Sequence, residues 1–243
     1  LADIDEWFET GIAESAWRLS YYGFDPEEER LRESLTTVGN GYLGSRGAFA
    51  GTGIDENVHY PGSYLAGLFN NRGTEVGDRR VYNNDFVNIP NWLRVDLRVG
   101  HDDAEPLRPR SHSPAGWRHW LDLRRATTHH DVTLSDAEGR QTRIETVRFI
   151  SMDRPHVAAL QYRVTPLNYS GSLHIDSILD GDVINYGVER YRKLESRHLE
   201  AAEVRRVGRD IRLESRTNES GITVSLQAHH RLTTAGDGNH GIE

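Results

Sequence analysis

The chain has 243 residues, 36% of them hydrophobic and 27% charged, with a formal net charge of −8 and no cysteine. That balance fits a globular chain rather than a disordered one, and the length is ample for one large β-sandwich with its own core. It excludes a disulfide framework, a thiolate metal site and a basic nucleic-acid footprint, and no apolar run reaches the ~18 residues of a membrane-spanning helix.

In chain order, a strand is expected through Trp17 to Tyr21. A short helix follows. Asp25 can cap it, Pro26 suits its first position, and Glu27, Glu28 and Glu29 complement the positive end of its dipole. Leu31 and Leu35 then share a face. From Gly39 to Gly77 the chain is rich in Gly, Asn, Tyr and Pro and shows no period. A stretch of that length is too long for an idle loop, which points to a functional or interface role. Alternation then sets in at Leu93, Val95, Leu97 and Val99, with Arg94, Asp96 and Arg98 between them. This period of two places one set on a core face and the other in solvent. It returns at Ala158 to Val164 and at Ile222 to Ala228, with shorter candidates at 121–123, 131–134, 144–150, 173–179 and 211–213. Gly139, Gly171 and Gly221 each end a polar tetrapeptide, as tight reversals require. Many short strands without intervening helical patterns imply an all-β fold, an antiparallel sandwich or barrel. The residues from 233 to 243 read as a Gly-rich tail or linker after a domain spanning 1–232. With no cysteine and no secretory h-region, a cytoplasmic location is the simpler expectation. The lack of an initial Met suggests a piece of a longer protein.

Few constellations suggest chemistry. Of the 29 basic residues, Lys193 is the single lysine. Arginine suits phosphate, but the codon usage of a GC-rich genome accounts for the bias as well. Asp176, Asp180 and Asp182 could hold Ca²⁺, yet they lack the Gly and terminal Glu of a calcium loop and sit among strand residues. Turn and solvent-facing roles are therefore preferred. The doublets His129-His130 and His229-His230 point their rings to opposite faces of a strand, so neither pair is expected to share a metal. The run Gly39 to Gly47 offers glycines and hydrogen-bonding groups, but neither a P-loop lysine nor a strand-to-helix context. A bend packed against other protein is preferred to a phosphate cradle. Tyr42, Phe49, Tyr60, Tyr64, Phe69, Tyr82, Phe86 and Trp92 concentrate aromatics nearby, as a sugar platform or, by default, as packing.

Asn40-Gly41-Tyr42-Leu43-Gly44-Ser45-Arg46-Gly47 resembles the N-G-Y-x-G-x-R-G motif near the start of family 65 glycoside hydrolases. Gly23 to Pro26, Glu33 to Leu35, Tyr60 to Gly67, Val87 to Leu93, Leu121 to Arg124, Arg148 to Met152 and Leu179 to Val183 match in order. Asn185 to Tyr191 and Leu194 to Leu199 are similar to the phosphorylase branches. Many relatives carry a Glu pair after the R-G, where this chain reads Ala48-Phe49-Ala50-Gly51.

The resemblance implies a galactose-mutarotase-like supersandwich placed before an (α/α)6 barrel that holds the catalytic acid. By that analogy this chain carries no catalytic residue, no metal and no organic cofactor. The parent enzyme would use inorganic phosphate as co-substrate, act on a carbohydrate and form a homodimer, with neither nucleic acid nor membrane as partner. Asn40, Tyr42, Arg46, Tyr60, Tyr64 and Asn91 are expected to pack toward the barrel and shape its substrate-side rim. A family 65 hydrolase, trehalase-like, and a free-standing carbohydrate-binding sandwich are the competing expectations; fold analogy alone does not separate them.

Overall fold

A computed structural model describes residues 14–53, 58–112, 114–186, 195–208 and 210–234. The Gly187 to Tyr191 run, Leu194 and the tail beyond Thr234 lie outside the described residues. After a 3₁₀ turn (Glu14–Trp17), strand β1 (Arg18–Tyr22) leads to helix α1 (Glu29–Leu35). Then come β2 (Val38–Gly39), β3 (Leu43–Ser45), β4 (Ser63–Val76), β5 (Arg79–Asn88), β6 (Asn91–Val99), β7 (Pro114–Asp122) and β8 (Thr127–Ser135). The chain continues through β9 (Gln141–Ile150), β10 (Ala158–Pro166), β11 (Leu173–Asp180), β12 (Glu203–Val207), β13 (Asp210–Arg216) and β14 (Thr223–His229). Among the described residues the strands form four antiparallel sheets in the orders β1-β7-β8-β9-β10, β2-β3-β4-β5, β11-β6 and β12-β13-β14. The all-β, antiparallel expectation holds.

Alternation decides which side of the five-stranded sheet faces inward. In β8 and β9 every second residue is buried: Thr128, His130, Val132 and Leu134, then Thr142, Ile144, Thr146, Arg148 and Ile150. Register sets Trp117 beside Val132 and Val132 beside Ile144. These residues meet Phe49, Leu97 and Val99 in one apolar cluster. Leu121 and Ile150 join a second cluster with Val38, Leu68, Val87 and Val224. Each buried aliphatic side chain contributes roughly 1.5–3 kcal/mol. Between the two clusters runs a polar belt. His119 opposes His130, His130 opposes Thr146, and Thr128 opposes Arg148.

That belt explains a correction at α1. The helix begins at Glu29, after a turn in which the Asp25 carbonyl accepts from the amides of Glu28 and Glu29. Glu28 is its N-cap, without a side-chain cap bond, so Asp25 and Pro26 belong to the preceding turn. Its buried residues are Glu29 and Glu33, each 1% exposed, whereas Leu31 and Leu35 are 54% and 49% exposed. The acidic face is the buried one because the helix lies over the polar belt. Thr36, just past its end, bonds His119, and the Thr36 carbonyl accepts from Thr128. Buried Arg148 lies close enough to feel the Glu33 charge.

The stretch from Gly39 to Gly77 is not loop throughout. It contains the end of β2 and the whole of β3 and β4, and the polar run Asn70-Asn71-Arg72 of β4 pairs with β5 in an extended ribbon. A register shift between Tyr64 and Phe69 erases the period that would have marked it. β12 had no sequence signal either, since its five residues are all exposed.

Gly47 closes the β3 segment onto the helix. Its amide donates 2.6 Å to the Glu33 carbonyl. A methyl group there would overlap Thr36 Oγ1 and sit 2.8 Å from Thr36 Cβ. Thr36 cannot rotate away freely, because its hydroxyl donates to the Arg32 carbonyl and bonds His119. Gly47→Ala is expected to destabilise the chain by about 1–3 kcal/mol. A guanidinium midpoint within error of the parent's would show that the contact yields.

Candidate functional site

The six residues expected at a rim fall into three places. Arg46, Tyr60 and Tyr64 come together. Arg46 follows β3 and lies against α1. Its Nε donates to the Tyr60 carbonyl at 2.9 Å, NH2 to the Arg30 carbonyl at 2.7 Å, and NH1 to Ser34 Oγ at 3.2 Å. The guanidinium also sits 5.2 Å from the Tyr60 ring centroid, a favourable cation–π distance.

The Tyr60 and Tyr64 hydroxyls are 2.7 Å apart, and Tyr60 Oη accepts from the Tyr186 amide at 3.0 Å. Burial and the neighbouring Tyr60 hydroxyl raise the Tyr64 phenol above its ordinary range, so the Tyr64 hydroxyl stays a neutral hydrogen-bonding group. Tyr64 stacks on Phe86 at 5.1 Å, and Phe86 meets Phe69 at 5.2 Å. An aromatic row thus runs from buried Tyr60 to Phe86 and Phe69, which are 40% and 42% exposed. Arg30 covers Tyr186 at 4.6 Å.

Asn40 and Tyr42 occupy the β2–β3 turn, where Gly41 takes a φ of 86° that a side chain would disfavour. Asn40 Oδ1 accepts from the amides of Tyr42 and Leu43, and Nδ2 donates to the carbonyls of Ser151 and Pro155. Tyr42 meets His156 edge-on at 4.4 Å. This pair clamps the turn to the segment after β9. Asn91 stands apart at the start of β6. It is buried, and its Oδ1 accepts from the Leu93 amide at 3.0 Å.

Two residues that the sequence reading did not place at a site lie beneath the first group. Glu33 Oε1 is 2.8 Å from His59 Nδ1, and Oε2 accepts from the Tyr60 amide at 2.9 Å. Arg46 NH2 stands 4.0 Å from the same carboxylate. Glu33 was visible as part of the Glu33-Ser34-Leu35 match; its buried position was not, since a glutamate in a short helix ordinarily faces water.

Burial raises the neighbouring Glu29 carboxyl to about 7, with Arg32 partly opposing. Among the described residues the four buried carboxylates are all engaged: Glu29 with Arg32, Glu33 with His59, Asp96 with Arg108, and Asp122 with Arg125. Each is a structural partner rather than a group facing a substrate. Asp176, Asp180 and Asp182 pair with Arg98, Arg94 and Arg197. His130 is buried while His129 stacks on Trp120 from the other face. Among the described residues no His, Asp and Glu converge in a group suited to a metal ion, and no helix is long and apolar enough to cross a membrane.

The pattern described as Glycosyl hydrolase family 65, N-terminal domain, matches residues 19–242. An uncharacterized glycosyl hydrolase of Mycobacterium tuberculosis, MT2062, is 40% identical over 216 residues, which are 89% of this chain and 16% of that protein. Kojibiose phosphorylase of Thermoanaerobacter brockii is 30% identical over 222 residues, covering 91% of this chain and 27% of the enzyme. A solved structure assigned as a kojibiose phosphorylase from the human microbiome superposes with a TM-score of 0.70 at 17% identity, over 87% of this chain and 27% of that one. The chain therefore spans between about a sixth and a quarter of the length of these proteins. On the match across nearly its whole length, this chain belongs to glycosyl hydrolase family 65, as its N-terminal domain.

Proposed function

We propose that this chain is the non-catalytic N-terminal module of an enzyme that cleaves an α-glucosidic disaccharide with inorganic phosphate, giving β-glucose 1-phosphate. The observation that carries this reading is the state of the carboxylates. Glycosidic cleavage needs a carboxylic acid facing the bond, and among the described residues the buried carboxylates are all engaged by arginine or histidine. The general acid then belongs to a barrel domain elsewhere in the longer protein. Exposed apolar side chains support a docking role. Leu31 and Leu35 on α1, and Phe69 and Phe86 on the ribbon, leave apolar area in water that a partner domain would cover. In this reading the Arg46–Tyr60–Tyr64 group braces the aromatic row at the rim of the sugar site. The kojibiose phosphorylase relative favours phosphorolysis over hydrolysis.

The test is release of β-glucose 1-phosphate from kojibiose, maltose, trehalose or nigerose with inorganic phosphate. The chain alone is expected to release none, and the longer protein that contains it to act on one of the four. Release by the chain alone would overturn the non-catalytic reading. Glucose formation by the longer protein without phosphate would make it a hydrolase instead.

A further inference from the structure

The β4–β5 ribbon has one face engaged and one face free. Asn70, Arg72 and Thr74 of β4, with Asp85 of β5, turn toward the segment from 195 to 220. Asn70 Nδ2 bonds His198 and Asn218, and its Oδ1 accepts from the Glu219 and Ser220 amides. His198 stands 3.4 Å from Asp85, Arg72 stands 3.5 Å from Glu195, and Thr74 Oγ1 accepts from the Glu195 amide at 3.2 Å. Successive strand residues face opposite ways, so the alternate set lies on the other face. There the register places Phe69 beside Phe86, Asn71 beside Asn84, Gly73 beside Tyr82 and Glu75 beside Arg80. Tyr82 is 62% exposed, and Asn71 and Asn84 are exposed together with the two phenylalanines. Among the described residues neither of these two asparagine side chains meets a protein hydrogen-bond partner. The ribbon thus covers its polar face and leaves its aromatic face in water.

We propose that this free face is a strip that binds a short neutral oligosaccharide. It holds three aromatic rings and two carboxamides, and no aliphatic side chain. A protein cover would press the two amides against apolar groups and strand their donors and acceptors. A pyranose answers both kinds of group. Its C–H face lies against a ring, and its hydroxyls both donate to and accept from an amide. The exposed side of α1 offers Leu31 and Leu35 instead, which suit packing by another protein. Charge is confined to one end of the strip, where Arg80 lies 3.9 Å from both Glu75 and Glu219. The uncharged middle favours a neutral sugar over a sugar phosphate, which would call for unspent arginine. Arg80 lies where a methyl group on Gly73 would stand, and its guanidinium sits 5.5 Å from the Tyr82 ring centroid, which holds that ring in place. Four strand residues, about 13 Å, separate the phenylalanine pair from Tyr82, further than one pyranose ring reaches. The strip rests on the rim reading of the aromatic row, but not on which reaction the longer protein performs.

The experiment titrates glucose, maltotriose and cellotriose separately into the purified chain. Calorimetry reads affinity, and the side-chain amide resonances of Asn71 and Asn84 read location. Saturable millimolar binding of at least one trisaccharide is expected, tighter than that of glucose, with shifts at both amides. Whichever trisaccharide binds supports the strip and assigns its linkage preference. Tyr82→Ala should weaken binding about threefold to tenfold, the loss of one ring contact. Asn84→Ala should weaken it severalfold, the loss of one hydrogen-bonding group. Both positions are exposed, so both variants are expected to keep the fold. Leu31→Ala on α1 should leave the affinity unchanged. No saturable binding of either trisaccharide, or binding that Tyr82→Ala and Asn84→Ala leave undiminished, overturns the proposal. A dimer that Tyr82→Ala dissolves, in place of sugar binding, also overturns it and makes the strip an interface between copies. Release of β-glucose 1-phosphate by the longer protein is a separate measurement, so the strip and the reaction can fail independently.

Discussion

Acidification is expected to destabilise this chain well above the pH at which its aspartates titrate. Burial first, and then the guanidinium groups of Arg148 and Arg32, lower His119 to about 3. His130 is pushed the same way by burial and by His119 itself, stacked at 4.1 Å. In the unfolded chain these rings take a proton near pH 6.5. Below that pH the unfolded state binds more protons than the folded state, so stability falls as pH falls. For His119 alone the loss is about 2 kcal/mol by pH 5 and about 4 kcal/mol by pH 3, at ~1.4 kcal/mol per pH unit until the folded ring itself titrates.

Glu29 acts in the opposite sense. Its folded carboxyl, raised to about 7, holds a proton that the unfolded one loses, so stability rises as pH falls from about 7 toward 4.5. That gain offsets roughly one histidine. His130, and to a smaller degree the less buried His129, lowered by burial to about 4, tip the balance toward loss. Against a total of about 5–15 kcal/mol, the effect is decisive. Guanidinium midpoints measured from pH 7.5 to 4 should fall throughout the range below 6.5. The double variant His119→Gln, His130→Gln should show a shallower acid limb, whatever its stability at neutral pH. A flat profile down to pH 4 in the parent chain would mean that these rings are not neutral in the fold.

The second large effect is expected at Glu33. Its two oxygens accept from His59 and from the Tyr60 amide, and its charge lies near Arg46 and Arg148. Glu33→Ala removes two buried acceptors and leaves guanidinium charge uncompensated, a change that costs about 3–5 kcal/mol. Glu33→Gln keeps the shape and one acceptor but turns an amide donor toward an existing donor, so its cost should be intermediate. Leu35→Ala, on the exposed side of the same helix, should stay within about 0.5 kcal/mol. Equal effects of the Ala change at 33 and at 35 in guanidinium denaturation would show that α1 is not held by its acidic face.

The sequence made some of this architecture plain and concealed the rest for definable reasons. β6, β10 and β14 were legible because each has one face toward apolar core and the other toward solvent. Period-two alternation records that difference directly. β4 and β5 were illegible because the ribbon's polar and aromatic residues follow no such division and its register shifts between Tyr64 and Phe69. The helix was found, but that it buries its acidic face was not. Amphipathic reasoning assumes an apolar surface beneath a helix, and α1 instead lies on the belt of His119, His130 and Arg148, which only the pairing of β7, β8 and β9 assembles. At the candidate site, the motif from Asn40 to Gly47 stood out by its glycines and the family likeness. That it divides into an Asn40–Tyr42 clamp and an Arg46–Tyr60–Tyr64 group depends on contacts between residues far apart in the chain. The aromatic concentration from Tyr60 to Phe86 was visible; its ordering into a row was not.

The pairing of β1 with β7 has a consequence for synthesis. Arg18 lies opposite Asp122, and Tyr22 opposite Arg118. At about 5–20 residues per second, the ribosome needs on the order of 5–20 s to make the roughly 100 residues between the two strands. Throughout that interval Trp17, Leu19 and Tyr21 have no sheet to join. A strand made early in the chain is thus among the last to find its place, waiting on a partner about 100 residues downstream.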